Sequence, residues 1–134
     1  YELLLRPVLR RLFDYFNSRR MPVILHTDGH VHDLIPFFVE DGLSCLQPLE
    51  VKAGMDVVEL KSTWHTKLAF MGGIDVKAMA ATDPTVIEDE IRRKIPAAKR
   101  GGGYIYHSDH SVPDNVSLPQ YQRTLNLARA YGRF

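Results

Sequence analysis

The chain has a single cysteine, Cys45, so it cannot close a disulfide within itself. That excludes a disulfide-stapled scaffold and points to a reducing compartment. Net charge is scarce as well: 17 Lys and Arg stand against 16 Asp and Glu, leaving +1. A balance of that kind carries no long-range field to gather nucleic acid. No apolar run approaches the ~20 residues a membrane-spanning helix needs, and no basic-then-apolar leader with a small-residue cleavage site is visible. The expectation is a soluble, cytoplasmic protein with neither a nucleic-acid nor a membrane partner. Low-complexity linkers are missing too, which argues for a single domain over residues 1–134.

What is present is ordinary globular composition, 45% hydrophobic and 25% charged, enough for one modest core. The chain opens at Tyr1, inside a helical pattern and without an initiator Met, which suggests a piece of something longer.

Periodicity sets out the elements. A helix is predicted over Tyr1 to Asn17, with Leu5, Val8, Leu9, Leu12, Phe13 and Phe16 on one face and Pro7 in the first turn of its main body. Met21 to Leu25 reads as a strand that empties into His26-Thr27-Asp28-Gly29-His30. Val31 to Glu40 reads as a helix stopped by Gly42, and Leu43 to Gln47 as a strand ending in Pro48-Leu49-Glu50. A short helix follows over Asp56 to Thr63. Leu68 to Met71 is a strand running into Gly72-Gly73-Ile74-Asp75. Asp83-Pro84 starts a helix that buries Val86, Ile87, Ile91 and Ile95 and is expected to end at Pro96. Tyr104 to His107 is the last strand. Ser117 caps a final helix with Leu118, Tyr121, Leu125 and Ala128 on one face and Gly132 at its end.

Strands alternating with helices at this spacing imply right-handed βαβ units and a parallel sheet. The predicted class is α/β, a (β/α)4 unit amounting to half of a (β/α)8 TIM barrel, whose usual length is ~250 residues. Four parallel strands alone leave two open edges. Pairing with a second copy, or with an amino-terminal half, is therefore expected.

The blocks HTDGHVHDLIPFFVEDGL, LQPLEVKAGMDVVELK, LAFMGGIDVKAM and GGGYIYHSDHSVPDNVSLPQYQ together resemble the carboxyl-terminal half of the uroporphyrinogen decarboxylase family. The resemblance implies a (β/α)8 barrel and one of two chemistries. One branch holds zinc and moves methyl groups between corrinoid proteins and thiols or other acceptors. The other is cofactor-free and decarboxylates a tetrapyrrole in haem synthesis. In the methyl-transferring branch the ligand pattern is similar to a His-x-Cys after one strand and a Cys after the last. Here His26-Thr27-Asp28 keeps the histidine and puts a carboxylate in place of the thiol, and His110 stands at the last position, in Asp109-His110-Ser111 where decarboxylases carry Gly-His-Gly.

Chemically, His26, Asp28 and His110 make a candidate divalent site that suits zinc, and equally iron or manganese. His26 and Asp28 are two apart and can point the same way from an extended strand end. Glu50 is a candidate catalytic residue, as a fourth ligand or an orienting acceptor, and His110 a second one. Asp75 and Gly73 are candidate substrate contacts, with helix capping as the competing role for Asp75. The remaining candidates have plainer readings. A His-x-Asp pair often makes only a hydrogen-bonded turn, and His30 and His32 cap a helix. His107 belongs to the strand wall, His65 to a helix exit, and Cys45 fills core. Glu88 to Glu90 forms a solvated face, and Trp64 and Tyr104 pack. Neither Gly72-Gly73 nor Gly101 to Gly103 has a phosphate-loop pattern.

The leading expectation is thus a metal-dependent methyltransferase acting on a small methylated compound with a corrinoid-protein partner. One alternative is the metal-free decarboxylase, to which this piece would contribute only His110. The other is a catalytically incomplete half-barrel held together by self-association.

Overall fold

The computed structural model describes residues 1–133. Its elements are α1 (Arg6–Asn17), β1 (Ile24–His26), α2 (Ile35–Glu40), β2 (Cys45–Gln47), α3 (Val57–Trp64), β3 (Ala69–Met71), α4 (Val76–Ala80), α5 (Pro84–Ala98), β4 (Tyr104–Ile105) and α6 (Leu118–Gly132). Short 3-10 turns at His32–Leu34 and Val51–Ala53 precede α2 and α3. The four strands form one sheet in the order β1-β2-β3-β4, every pair parallel. The fold is α/β, with strands and helices alternating as in half of a (β/α)8 barrel.

Strand register decides which side chains meet the helices. Leu25, Leu46, Phe70 and Tyr104 stand in one row across the sheet, and all four pack in the main core with Phe13, Ile35, Phe38, Val57 and Leu60. Each fully buried member contributes about 1.5–3 kcal/mol through apolar burial. A second core holds Ile74, Met79, Ile87, Ile91, Ile95 and Ala128, where α5 and α6 pack on the β3 end. The neighbouring rows point to the other face. There Ile24 and Ile105, on the two edge strands, remain 52% and 46% exposed, while Cys45 in the same row as Ile24 is buried.

Several elements differ from expectation. The first helix begins at Arg6, since Leu5 and Arg6 donate their N–H groups to Tyr1 O in a separate turn. The Arg6 side chain makes a two-pronged bond to Asp41 at 2.8 and 2.9 Å, with its guanidinium 4.7 Å from the Phe37 ring centre. Phe13 is the one buried residue of α1, while Leu5, Val8 and Leu12 face outward. The first strand starts at Ile24 and includes His26, which moves the histidine from the loop onto the sheet.

Pro96 does not end α5, which runs on to Ala98 with Lys99 N–H closing on Ile95 O. A proline in the last turn forfeits one intrahelical bond, and burial of Ile95 and Ala98 on either side holds the turn in place. The helix α4 was not foreseen; its five residues are too few to show a period, and Asp75 caps it by accepting from Lys77 N–H at 2.8 Å. On α6 the core face is Thr124 and Ala128, with Leu127 and Tyr131 beside them. Leu118 and Tyr121 lie off that face and are exposed.

Two buried lysines tie helices to loops. Lys61 on α3 donates to Gly102 O, just before β4, at 2.5 Å. Lys94 on α5 donates to Gly73 O, just after β3, at 2.7 Å and pairs with Glu90.

Candidate functional site

The carboxyl ends of the strands open onto a cleft of about 690 Å³. It lies where parallel α/β sheets present their ligands. His26, Asp28 and His110 line it, with Gln47, Tyr106 and Tyr121 among their neighbours.

The register places His26 directly across from Gln47. Their side chains meet, Gln47 Oε1 accepting from His26 Nδ1–H at 2.5 Å. The opposite ring nitrogen, Nε2, lies 3.4 Å from Asp28 Oδ2. In the imidazolium form both N–H groups of His26 thus find an acceptor, one an amide oxygen and the other a carboxylate. Asp28 reaches that position because Thr27 N–H still pairs with Gln47 O at 2.9 Å, extending the ladder one residue past the strand.

Glu50 lies below this pair, nearly buried, and outside the cleft lining. Its carboxylate accepts from Gly29 N–H at 2.6 Å and from Lys52 Nζ at 2.8 Å. The Lys52 ammonium and then the Gly29 N–H hold the Glu50 carboxyl below the usual carboxylate range, and the charge of His110 adds to the effect. Lys52 is in turn raised, first by Glu50 and, at longer range, by Asp109 and Asp28. Glu50, Lys52, Asp28, Asp109 and His110 therefore share one electrostatic neighbourhood at the strand ends.

His110 is exposed on the cleft wall, and its backbone O accepts from Ser108 Oγ at 2.6 Å. Asp75 and Gly73 do not reach the cleft. Asp75 caps α4, while Gly73 is buried with N–H on Pro48 O and O on Lys94. The cleft brings together His26, Asp28 and His110 of the expected set; Glu50 supports it from beneath.

Zinc sites are built from three or four converging protein ligands. Among the described residues no three His, Cys, Asp or Glu side chains come together in that way. His26 and Asp28 face each other, and Glu50 is occupied by Gly29 and Lys52.

Sequence reasoning missed two groups. Asp109, read only as a neighbour of His110, is buried and bonds two loops. Glu90, read as part of a solvated face, pairs with Lys94 and accepts from Asp75 N–H at 3.0 Å. The signal for the second was in the chain: Lys94 falls on the same helical stripe as Ile87, Ile91 and Ala98, and Glu90 precedes it by four. Cys45 is buried with its thiol pushed up to about 11 by desolvation.

The family model for uroporphyrinogen decarboxylase (URO-D) matches residues 1–131 of the chain. No curated protein matches it.

Proposed function

The chain belongs to the uroporphyrinogen decarboxylase family, and from that premise we propose that it forms part of an enzyme of the methyl-transferring branch, with His26 as the proton carrier. The observation that carries this reading is the lining of the cleft. It holds histidines, tyrosines, Gln47 and an acid, Asp28. A carboxylate on the wall repels a tetrapyrrole ringed by carboxylates. A neutral methylated compound meets no such penalty.

In this reading the substrate's methoxyl or methylthio group sits between His26 and His110. The carbon–heteroatom bond breaks as the methyl group passes to a nucleophile, and the bonding pair stays on the oxygen or sulfur. His26 Nε2–H, which faces Asp28 at rest, turns to the leaving atom and supplies the proton that neutralises it. Asp28 pairs with the ring before the transfer, and Gln47 fixes its orientation through Nδ1–H. General acid catalysis of this kind is worth about 10²–10⁴ in rate. A corrinoid carried by a partner protein supplies the nucleophile when bound. Glu50 and Lys52 hold the loop that carries Gly29 and so keep Asp28 in place.

The test is to mix the protein with reduced free cobalamin and a panel of methoxylated and methylthiolated compounds, and to follow methylcobalamin by its absorption. His26→Ala is expected to lower turnover about 100-fold. Carbon dioxide release from uroporphyrinogen, with no methylcobalamin formed, would overturn the reading.

A second proposal concerns assembly. The exposed Ile24 and Ile105 on the open sheet face, with Leu5 before α1 and Val8 and Leu12 on it, favour pairing of this half with further β/α units, from a second copy or from an amino-terminal half. Sedimentation of the isolated 134-residue chain as a monomer at micromolar concentration would count against self-pairing.

A further inference from the structure

We propose that Asp109 is a positioning residue that locks three strand-end loops into one platform beneath the cleft, resting on the reading of that cleft as the methyl-transfer site. Asp109 is 2% exposed, yet it points at no ammonium or guanidinium within ion-pair distance among the described residues. Its two oxygens are instead divided between two loops. Oδ2 accepts from Val51 N–H, after β2, and Oδ1 accepts from Val76 N–H, after β3, each at 3.0 Å. Its own N–H donates to Ile74 O at 2.8 Å, beside the Ile74–Ser108 bridge that extends the sheet past β4. One buried residue therefore joins the segments that follow β2, β3 and β4.

Each of those segments bears on the cleft. Val51 lies between Glu50 and Lys52, whose pairing holds Gly29. Val76 opens α4, which brings Met79 to the cleft lining. His110 is the next residue along the chain. Burying a carboxylate against neutral donors alone is costly, and desolvation raises Asp109 above its ordinary value although both N–H groups pull it down. A neutral side chain would be easier to bury. What the carboxylate adds is two acceptors set back to back, which no neutral side chain of that size offers.

Asparagine separates the alternatives, because it keeps the shape but puts an NH2 donor group in place of one of the two acceptor oxygens. Asp109→Asn therefore frees one loop amide, and Asp109→Ala frees both. In native-state amide exchange the freed amides among Val51 and Val76 should speed up by roughly ten- to a hundredfold, the loss of one hydrogen bond to a charged group, while β2 and β3 amides stay protected. The His110 ring resonances should shift in both variants. In turnover, kcat should fall at least tenfold with KM changed less than threefold.

Unchanged exchange at Val51 and Val76, or unchanged kcat once those amides are freed, overturns the proposal. Loss of protection throughout the sheet does so too, since it marks Asp109 as a general stabiliser. A wild-type protein with no methyl transfer refutes the reading of the cleft instead; in that case local exchange and the His110 shift decide for or against the platform.

Discussion

Replacing Lys94 by methionine tests whether the polar layer under the β3 loop is held by charge. The ammonium is fully buried and, among the described residues, donates to Glu90 and to Gly73 O. Methionine keeps the apolar stem but leaves the Glu90 carboxylate, itself mostly buried, with Asp75 N–H as its remaining partner. Breaking a buried pair from one side costs about 3–5 kcal/mol. At roughly 3–4 °C per kcal/mol for a domain of this size, the midpoint should fall by about 10–20 °C. The double change K94M with E90Q removes both charges and still offers an oxygen to Asp75 N–H. Only Gly73 O is then unpaired, at about 1–3 kcal/mol. The double variant should thus be about 2 kcal/mol more stable than K94M alone, a coupling well above the scatter for independent sites. Urea unfolding with a shared m-value gives all three numbers. If K94M unfolds within 1 kcal/mol of wild type, or if E90Q brings no recovery, the charge-pair argument fails.

Three further outcomes follow from the geometry. Gly72→Ala should cost about 2–6 kcal/mol in urea unfolding, because its backbone sits at φ +122° and a Cβ there would lie 1.9 Å from Pro48 O. Native Cys45 should resist alkylation at pH 8 at least about 100-fold relative to an unfolded thiol, since a group titrating near 11 is only about one part in a thousand thiolate there; iodoacetamide labelling followed by mass analysis reads this directly. Glu50 is depressed in the folded chain, so its stabilisation is present above its ordinary value of 4.5 and disappears as pH falls through the lower folded value. Glu50→Gln should accordingly flatten the acid limb of stability against pH and lower stability at neutral pH, as read by thermal melts across pH 3 to 7.

The order of strands and helices was legible because each strand is a short apolar run ending in polar residues, and because Asp83 and Ser117 cap helices at the expected positions, while Asp56, expected as a first helical residue, caps α3. Convergence of His26, Asp28 and His110 on one cleft also follows from parallel topology alone. What the sequence could not carry was register. Only the pairing of His26 with Gln47 turns a candidate ligand into a ring with acceptors at both nitrogens. Asp109 was hidden for a similar reason: its partners, Val51 and Val76, are 58 and 33 residues away and use main-chain atoms, which carry no residue signature. Helix α4 was too short to declare a period. Pro96 misled because its local rule holds for an isolated helix, whereas here the turn it would break is pinned from both sides by burial.

Lys61 and Lys94 give the helical layer something apolar contact cannot. Apolar side chains resist sliding by interdigitation, but no one methyl names a single partner. Here α3 is bolted to the floor of the wall before β4 and α5 to its rim after β3, each by a single nitrogen on one carbonyl. Shear along the strands is blocked at both ends, so the rim loops inherit fixed heights, and a substitution that merely makes this layer oilier would raise its cohesion while letting its alignment drift.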